Sequence, residues 1–142
     1  MTIEQMIESG ALRLFKGGVI DGSVDTSLPL IALNAKRLNA KVAEGLSVRL
    51  VVAYTESCQS VVEIDIAQGA SVEIVEVYLA DSYANITVNQ AEGSQCKTLS
   101  ALLSSSNATY TYQLNGRNAS NTFDGLFIAI GADHATLNLT TR

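Results

Sequence analysis

Residues 43–50, AEGLSVRL, return twenty-four positions later as residues 67–74, AQGASVEI. A third and more degenerate copy, AEGSQCKT, follows at the same offset at residues 91–98. Glycines recur at nearly this spacing, and we assign them to the turns of the repeat: Gly22, Gly45, Gly69, Gly93 and Gly116. A fixed period of this length is typical of a solenoid, in which each coil packs mainly on its neighbours.

Apolar and polar residues alternate within each copy, as in residues 62–66, VEIDI. This period of two predicts half-buried β-strands. Residues one repeat apart would then stack as ladders: Val48, Val72 and Cys96; Leu50 and Ile74; Val51, Val75 and Leu99; Tyr54, Tyr78 and Leu102; Leu38, Val62 and Ile86; and, facing outward with alternating charge, Arg49, Glu73 and Lys97. The sequence therefore predicts an all-β protein, a parallel β-helix of about 24 residues per coil.

Two local features modify this pattern. The alternation changes phase near Val51 and Val75, which predicts a bulge or corner in each coil at that point. At the N-terminus, Thr2 and Gln5 fit a capping box, so we expect a short helix at about residues 2–9 before stacked coils at about residues 12–142. No linker or charge block divides the chain, and we expect a single domain.

Composition excludes several classes of function. The 142 residues carry fourteen acidic and nine basic side chains, a net charge of −5 that argues against binding to nucleic acid or to an anionic membrane surface. The first residues do not resemble a secretory signal, and no apolar run is long enough to span a bilayer. With only two cysteines and one histidine, a reduced cytoplasmic setting is the simplest interpretation.

Acidic residues are the first candidates for chemistry, and they concentrate in the centre of the chain: Glu63, Asp65, Glu73, Glu76 and Asp81. Carboxylates converging on adjacent coils would suit a carbohydrate-active β-helix enzyme. The alternation instead places Glu63 and Asp65 on the solvent side, and Glu73 has Arg49 and Lys97 as ladder partners. Glu76 is the least explained of the five, because its ladder neighbours are Val52 and Ser100.

The cysteines and the histidine suggest no catalytic or metal site. Cys96 fills an apolar ladder position and is predicted to be a buried, unreactive thiol, whereas Cys58 is predicted to be more exposed. These two thiols are too few to hold an iron–sulfur cluster. His134 follows Asp133, but neighbours on a strand point to opposite faces, so we expect a surface or packing histidine. We predict no catalytic, metal or cofactor residues.

Residues 43–50 and 62–79 resemble the central region of the SufB/SufD family of SUF-system iron–sulfur cluster assembly proteins. Residues 114–119, LNGRNA, leading to GLFI at 125–128 and to Asp133 and His134, resemble later coils of that family, with SufD the closer of the two. The resemblance implies a right-handed parallel β-helix in a cytoplasmic complex with a SufB-like subunit and a SufC-like ATPase. Members of that family usually continue through further coils and a helical region, so we expect a fragment truncated at its C-terminal end.

Three functions fit these observations: a non-catalytic SufD-like scaffold, a self-assembling structural β-helix of bactofilin type, and a carbohydrate-active enzyme. The enzyme is the least supported, because the ladders do not bring its carboxylates together. A strand edge left open at residues 137–140 would also allow a homodimer.

Overall fold

The computed structural model describes residues 13–16, 19–24, 29–127 and 136–142. Within these ranges the chain contains strands and no helix. The strands are β1 (Arg13–Lys16), β2 (Val19–Val24), β3 (Leu30–Leu33), β4 (Arg37–Val42), β5 (Ser47–Tyr54), β6 (Cys58–Ile66), β7 (Ser71–Tyr78), β8 (Ser82–Gln90), β9 (Gln95–Leu102), β10 (Asn107–Leu114), β11 (Ser120–Phe127) and β12 (Thr136–Thr141). The predicted helix at about residues 2–9 and the candidate His134 lie outside the described residues.

Successive strands alternate between two parallel six-stranded sheets. The odd-numbered strands form one sheet in the order β1-β3-β5-β7-β9-β11, here called the odd sheet. The even-numbered strands form the other, β12-β10-β8-β6-β4-β2, here called the even sheet. Each strand between the sheet edges therefore pairs with the strand one coil before and one coil after it, which confirms the predicted all-β parallel solenoid.

The predicted ladders are confirmed in the central coils. Val48 pairs with Val72 and Val72 pairs with Cys96, at the offset of twenty-four residues. In the even sheet Leu38, Val62 and Ile86 align in the same way. The inward side chains of both sheets form one continuous apolar core, with Leu50, Ile64, Ile74, Ile86 and Val88 among its buried members.

Turn glycines maintain this register where the period is regular. Gly45, Gly69 and Gly93 have φ values of 70°, 70° and 67°, a left-handed conformation that favours glycine. The assignment of Gly22 to a turn was wrong, since it lies within β2 and pairs with Ala40. The first coils are shorter than the central ones, and Val19 pairs with Arg37 only eighteen positions on. Counting back twenty-three residues from Gly45 therefore reaches a strand rather than a turn.

The predicted bulge near Val51 and Val75 was also wrong. Strands β5 and β7 run without interruption, and every second residue stays buried from Val48 to Tyr54 and from Val72 to Tyr78. The hydrophobic sequence pattern changes phase while the backbone does not. As a result valines face outward at 51, 75 and 77, and Glu76 faces inward. This inversion places a carboxyl group in the core and apolar side chains on the outer face of the odd sheet.

Candidate functional site

Glu76 is the most unusual side chain in the core. It lies on β7 between the buried Ile74 and Tyr78, and the regular alternation of that strand turns it inward. Its ladder neighbours are Val52 on β5 and Ser100 on β9. With 0% of its surface exposed, Glu76 has exchanged water for protein partners. A buried carboxyl is destabilising unless hydrogen bonds or protonation compensate for its lost solvation.

Two tyrosine hydroxyls supply those hydrogen bonds, one from each sheet. Tyr78, two residues further along β7, donates to Glu76 Oε2. Tyr110 on β10 crosses the core from the even sheet, and its hydroxyl donates to the same Oε2 at 2.9 Å. The Tyr110 Oη also lies 2.8 Å from Ser100 Oγ and 3.0 Å from Tyr78 Oη. These four side chains, Glu76, Tyr78, Ser100 and Tyr110, form what we call the core hydroxyl cluster.

Burial controls the protonation of this cluster. Burial raises the pKa of Glu76 from 4.5 to about 7, although the hydrogen bonds from Tyr78 and Tyr110 act in the opposite direction. Burial, with the nearby Glu76 charge as a second cause, raises the pKa of Tyr78 and of Tyr110 far above the ordinary phenol value. Near neutral pH the phenols therefore keep their protons, while the carboxyl gains or loses one. The cluster is a buried site for a single proton.

Aromatic packing holds the cluster in place. The rings of Tyr54 and Tyr78 stack one coil apart, with centroids 4.8 Å apart and planes 20° from parallel. On the other side, Tyr110 meets the edge of Phe123 at a centroid distance of 4.9 Å. Glu76 Oε1 and the Tyr54 hydroxyl are buried and have no hydrogen-bond partner among the described residues. Only one carboxyl oxygen of Glu76 therefore accepts hydrogen bonds from the described residues, and the other adds to the cost of burying the charged form.

The cysteines behave as apolar residues. Cys96 is 3% exposed, and burial raises the pKa of its thiol to about 11 against the opposing effect of a contact with Thr98. Cys58 is half-buried beside the Ala35 carbonyl, with Sγ and O 3.6 Å apart, and burial raises the pKa of its thiol as well. Neither environment favours the thiolate that nucleophilic or metal-binding cysteines require. The predicted difference in exposure between the two cysteines is confirmed.

The other central acids lie on outer surfaces, as predicted for Glu63, Asp65 and Glu73. Glu63 and Asp65 share the side-chain amide of Asn89, which donates to them over 3.4 and 2.7 Å. Glu73 Oε2 forms a salt bridge of 3.3 Å with Arg49 Nη2. Asp81 accepts a hydrogen bond from the Ser105 backbone N–H at 2.8 Å. The structure does not bring these carboxylates to Glu76, which faces the interior.

The described part of the chain contains no group of three or more histidine, cysteine, aspartate or glutamate side chains placed to hold a metal ion. It also contains no helix long and apolar enough to cross a bilayer. A substrate could not reach the core hydroxyl cluster without separating the two sheets, because Glu76, Tyr78, Ser100 and Tyr110 are each 0% exposed. What this arrangement can do chemically is hold or release a proton in response to pH.

Sequence reasoning singled out Glu76 but missed the tyrosines around it. Its unusual ladder, Val52–Glu76–Ser100, was visible because the repeat aligns residues within one sheet. Tyr110 comes from the opposite sheet, thirty-four residues away, and the ladder period says nothing about contacts across the core. A tyrosine at an inward position of β10 was the available signal, since a buried phenol needs a polar partner.

Three comparisons with known proteins leave the family of this chain open. No family model, no curated protein and no solved structure matches it.

Proposed function

We propose that this protein is a non-catalytic, SufD-like scaffold subunit of a cytoplasmic complex that assembles iron–sulfur clusters. The observation that carries the proposal is the register of β5 and β7. Residues 43–50 and 62–79, which resemble the SufB/SufD family, span parts of β5, β6 and β7 and the turns before β5 and β7, and β5 pairs with β7 at the twenty-four-residue offset without interruption. A parallel β-helix at these residues is the fold that the resemblance implies, and this supports the proposal. A SufB-like subunit and a SufC-like ATPase are the partners that this assignment implies.

Two further observations support a scaffold over an enzyme. Glu76 is enclosed in the core, and the neighbouring surface carboxylates Glu63 and Asp65 are both held by hydrogen bonds from the Asn89 amide. A glycosidase instead needs two carboxyl groups that are free to flank one bond of the substrate. The parallel stack also offers extended, rigid outer faces, which suits a protein that positions partners.

Co-purification tests the assignment. The full-length gene product, tagged and expressed from its own locus, should retain SufB-like and SufC-like subunits through washing and gel filtration. An untagged strain provides the background. Isolated on its own, the chain should be colourless and show no hydrolytic activity, because neither Cys58 nor Cys96 has the companions that a cluster requires. Recovery of the tagged protein without either partner contradicts the proposal.

A set of variants separates a scaffold from a catalyst. In a deletion strain, C58S, C96S and E76Q should restore iron–sulfur enzyme activity to the wild-type level, because a scaffold needs the fold and not one reactive group. I74D should fail, since it places a charge at a core position that is 0% exposed. Loss of function in a correctly folded single-thiol variant would instead point to chemistry at that thiol.

The bactofilin-type polymer remains the alternative, and the parallel stacking of successive coils favours it. Filaments of the purified protein, seen by sedimentation and electron microscopy in the absence of partners, would support that function in place of the scaffold.

A further inference from the structure

The outer face of the odd sheet carries a contiguous apolar surface along the second half of its strands. Two neighbouring ladders form this surface, which we call the outer apolar face: Val51, Val75 and Leu99, and, two residues further along the strands, Val77, Ala101 and Leu126. Leu99 and Leu126 are 43% and 50% exposed. On the even sheet, the corresponding central positions carry Glu63, Asp65 and Asn89. The exposed apolar residues of the even sheet, Val61 and Tyr83, pair with the polar Asn85 and Gln59 and form no apolar ladder. Contiguous exposed apolar surface is typical of an interaction site.

Core packing does not explain why this face is apolar, because the usual placement of apolar and charged residues is reversed around Glu76. Val75 and Val77 point to the outside while the residue between them, a glutamate, occupies the interior. Solenoid stability alone would favour the opposite arrangement, with the valines buried and the carboxylate in water. Two β-branched side chains on an outer face therefore suggest that this face is covered by another molecule.

We propose that the outer apolar face is the interface of a homodimer in which two copies pack odd sheet against odd sheet. The two-fold axis runs parallel to the strands, between β5 and β7. This axis overlays all six strands of one copy on those of the other, and it places Val51 opposite the partner copy's Val75. A two-fold interface must be self-complementary in this way, with each contact occurring twice.

Charge at the margin of the face supports this axis. Arg49 on β5 and Glu73 on β7 lie on the same outer row, two residues before the first apolar ladder. They already form a salt bridge within one chain, with their side chains 61% and 41% exposed. Rotation about the proposed axis brings Arg49 of one copy over Glu73 of the other, and the reverse. An axis shifted to the centre of β7 would instead place Glu73 opposite the partner copy's Glu73, and Arg49 opposite the partner copy's Lys97.

The area agrees with a stable dimer. Four eight-residue strands and two four-residue strands, at about 4.8 Å spacing and about 3.3 Å per residue, give a projected face of roughly 600 Å². The accessible area of a corrugated side-chain surface exceeds its projection. A standard interface buries about 800 Å² per partner, so the dimer must use the whole odd-sheet face, the row of Arg49 and Glu73 as well as the two apolar ladders.

Sedimentation velocity over a concentration series tests the proposal on the intact chain. The wild type should sediment at twice the 15.0 kDa monomer mass. L99K places an ammonium within the interface, against β3 of the partner copy, and should raise the Kd at least about tenfold. Y83K is the matched control, because Tyr83 is 62% exposed on the outer face of the even sheet. Circular dichroism confirms that both variants are folded.

Charge reversal then tests the axis. R49E places two glutamates opposite each other across the interface and should weaken the dimer, and R49E/E73R should restore it. A wild type that is monomeric at all concentrations, or a dimer unaffected by L99K, overturns the proposal. A dimer that L99K weakens and R49E does not overturns the axis between β5 and β7. These outcomes do not depend on the scaffold function, which is tested by its own partners.

Discussion

Replacing Glu76 with glutamine should remove most of the pH dependence of stability near neutrality. The pKa of Glu76 is 4.5 in the unfolded chain and about 7 in the folded protein, so folding favours the protonated form. Its contribution to stability is complete below about pH 4.5, falls as the pH rises through 7, and is then lost. The pKa difference corresponds to about 3 kcal/mol in the free energy of unfolding. Glutamine mimics the neutral acid at every pH.

Urea unfolding measured by far-ultraviolet circular dichroism from pH 5 to pH 8 provides the test. The free energy of unfolding of E76Q minus that of the wild type should rise by about 2–3 kcal/mol across this range, because other titrating groups cancel in the difference. E73Q is the matched control, since it removes the same charge from the outer face of the same strand. A difference that does not change with pH would refute the assignment of Glu76 as a buried proton site.

Three further predictions concern the cluster, the thiols and a turn. Y110F should destabilise the protein by about 1–3 kcal/mol and move the midpoint of its pH dependence upward. The Tyr110 hydroxyl lowers the pKa of Glu76 in the wild type, so its removal raises that pKa. Urea unfolding of the variant at several pH values checks both effects, and a lower midpoint contradicts the geometry. Ellman's reagent should modify Cys58 in the native protein and Cys96 only after unfolding; equal rates would contradict the burial of Cys96. The free energy of unfolding of G69A should be about 1–2 kcal/mol lower than that of the wild type, since φ at this turn is 70°. An unchanged urea midpoint would be inconsistent with that conformation.

The repeat predicted the fold because residues one repeat apart in the sequence become ladder neighbours in the sheet. Once Val48, Val72 and Cys96 are aligned, parallel stacking fixes the register of every residue on those strands. The same reasoning failed at Gly22, because the first coils have fewer residues than the repeat and the period does not extend to them. A solenoid can change coil length at its turns without disturbing the ladder, so the period is informative only where it is observed.

The inversion at Glu76 shows a second limit. Sequence alternation implied that the backbone would bulge so that valines stay inside and the glutamate stays outside. The paired strands on both sides resist a local change of register, because an extra residue in β7 alone would break its ladders with β5 and β9. Tyr78 and Tyr110 compensate by donating hydrogen bonds to the carboxylate. This compensation depends on contacts across the core, which a one-dimensional repeat does not encode.

The most direct test of the scaffold assignment is iron–sulfur enzyme activity in cells that lack this gene. Aconitase activity, measured in extracts and normalised to aconitase protein, should fall on deletion and recover with the wild-type gene or with E76Q. The account predicts that I74D, which disrupts the coil core, does not restore it. Full aconitase activity in the deletion strain, under iron limitation as well as in rich medium, would contradict a role in cluster assembly.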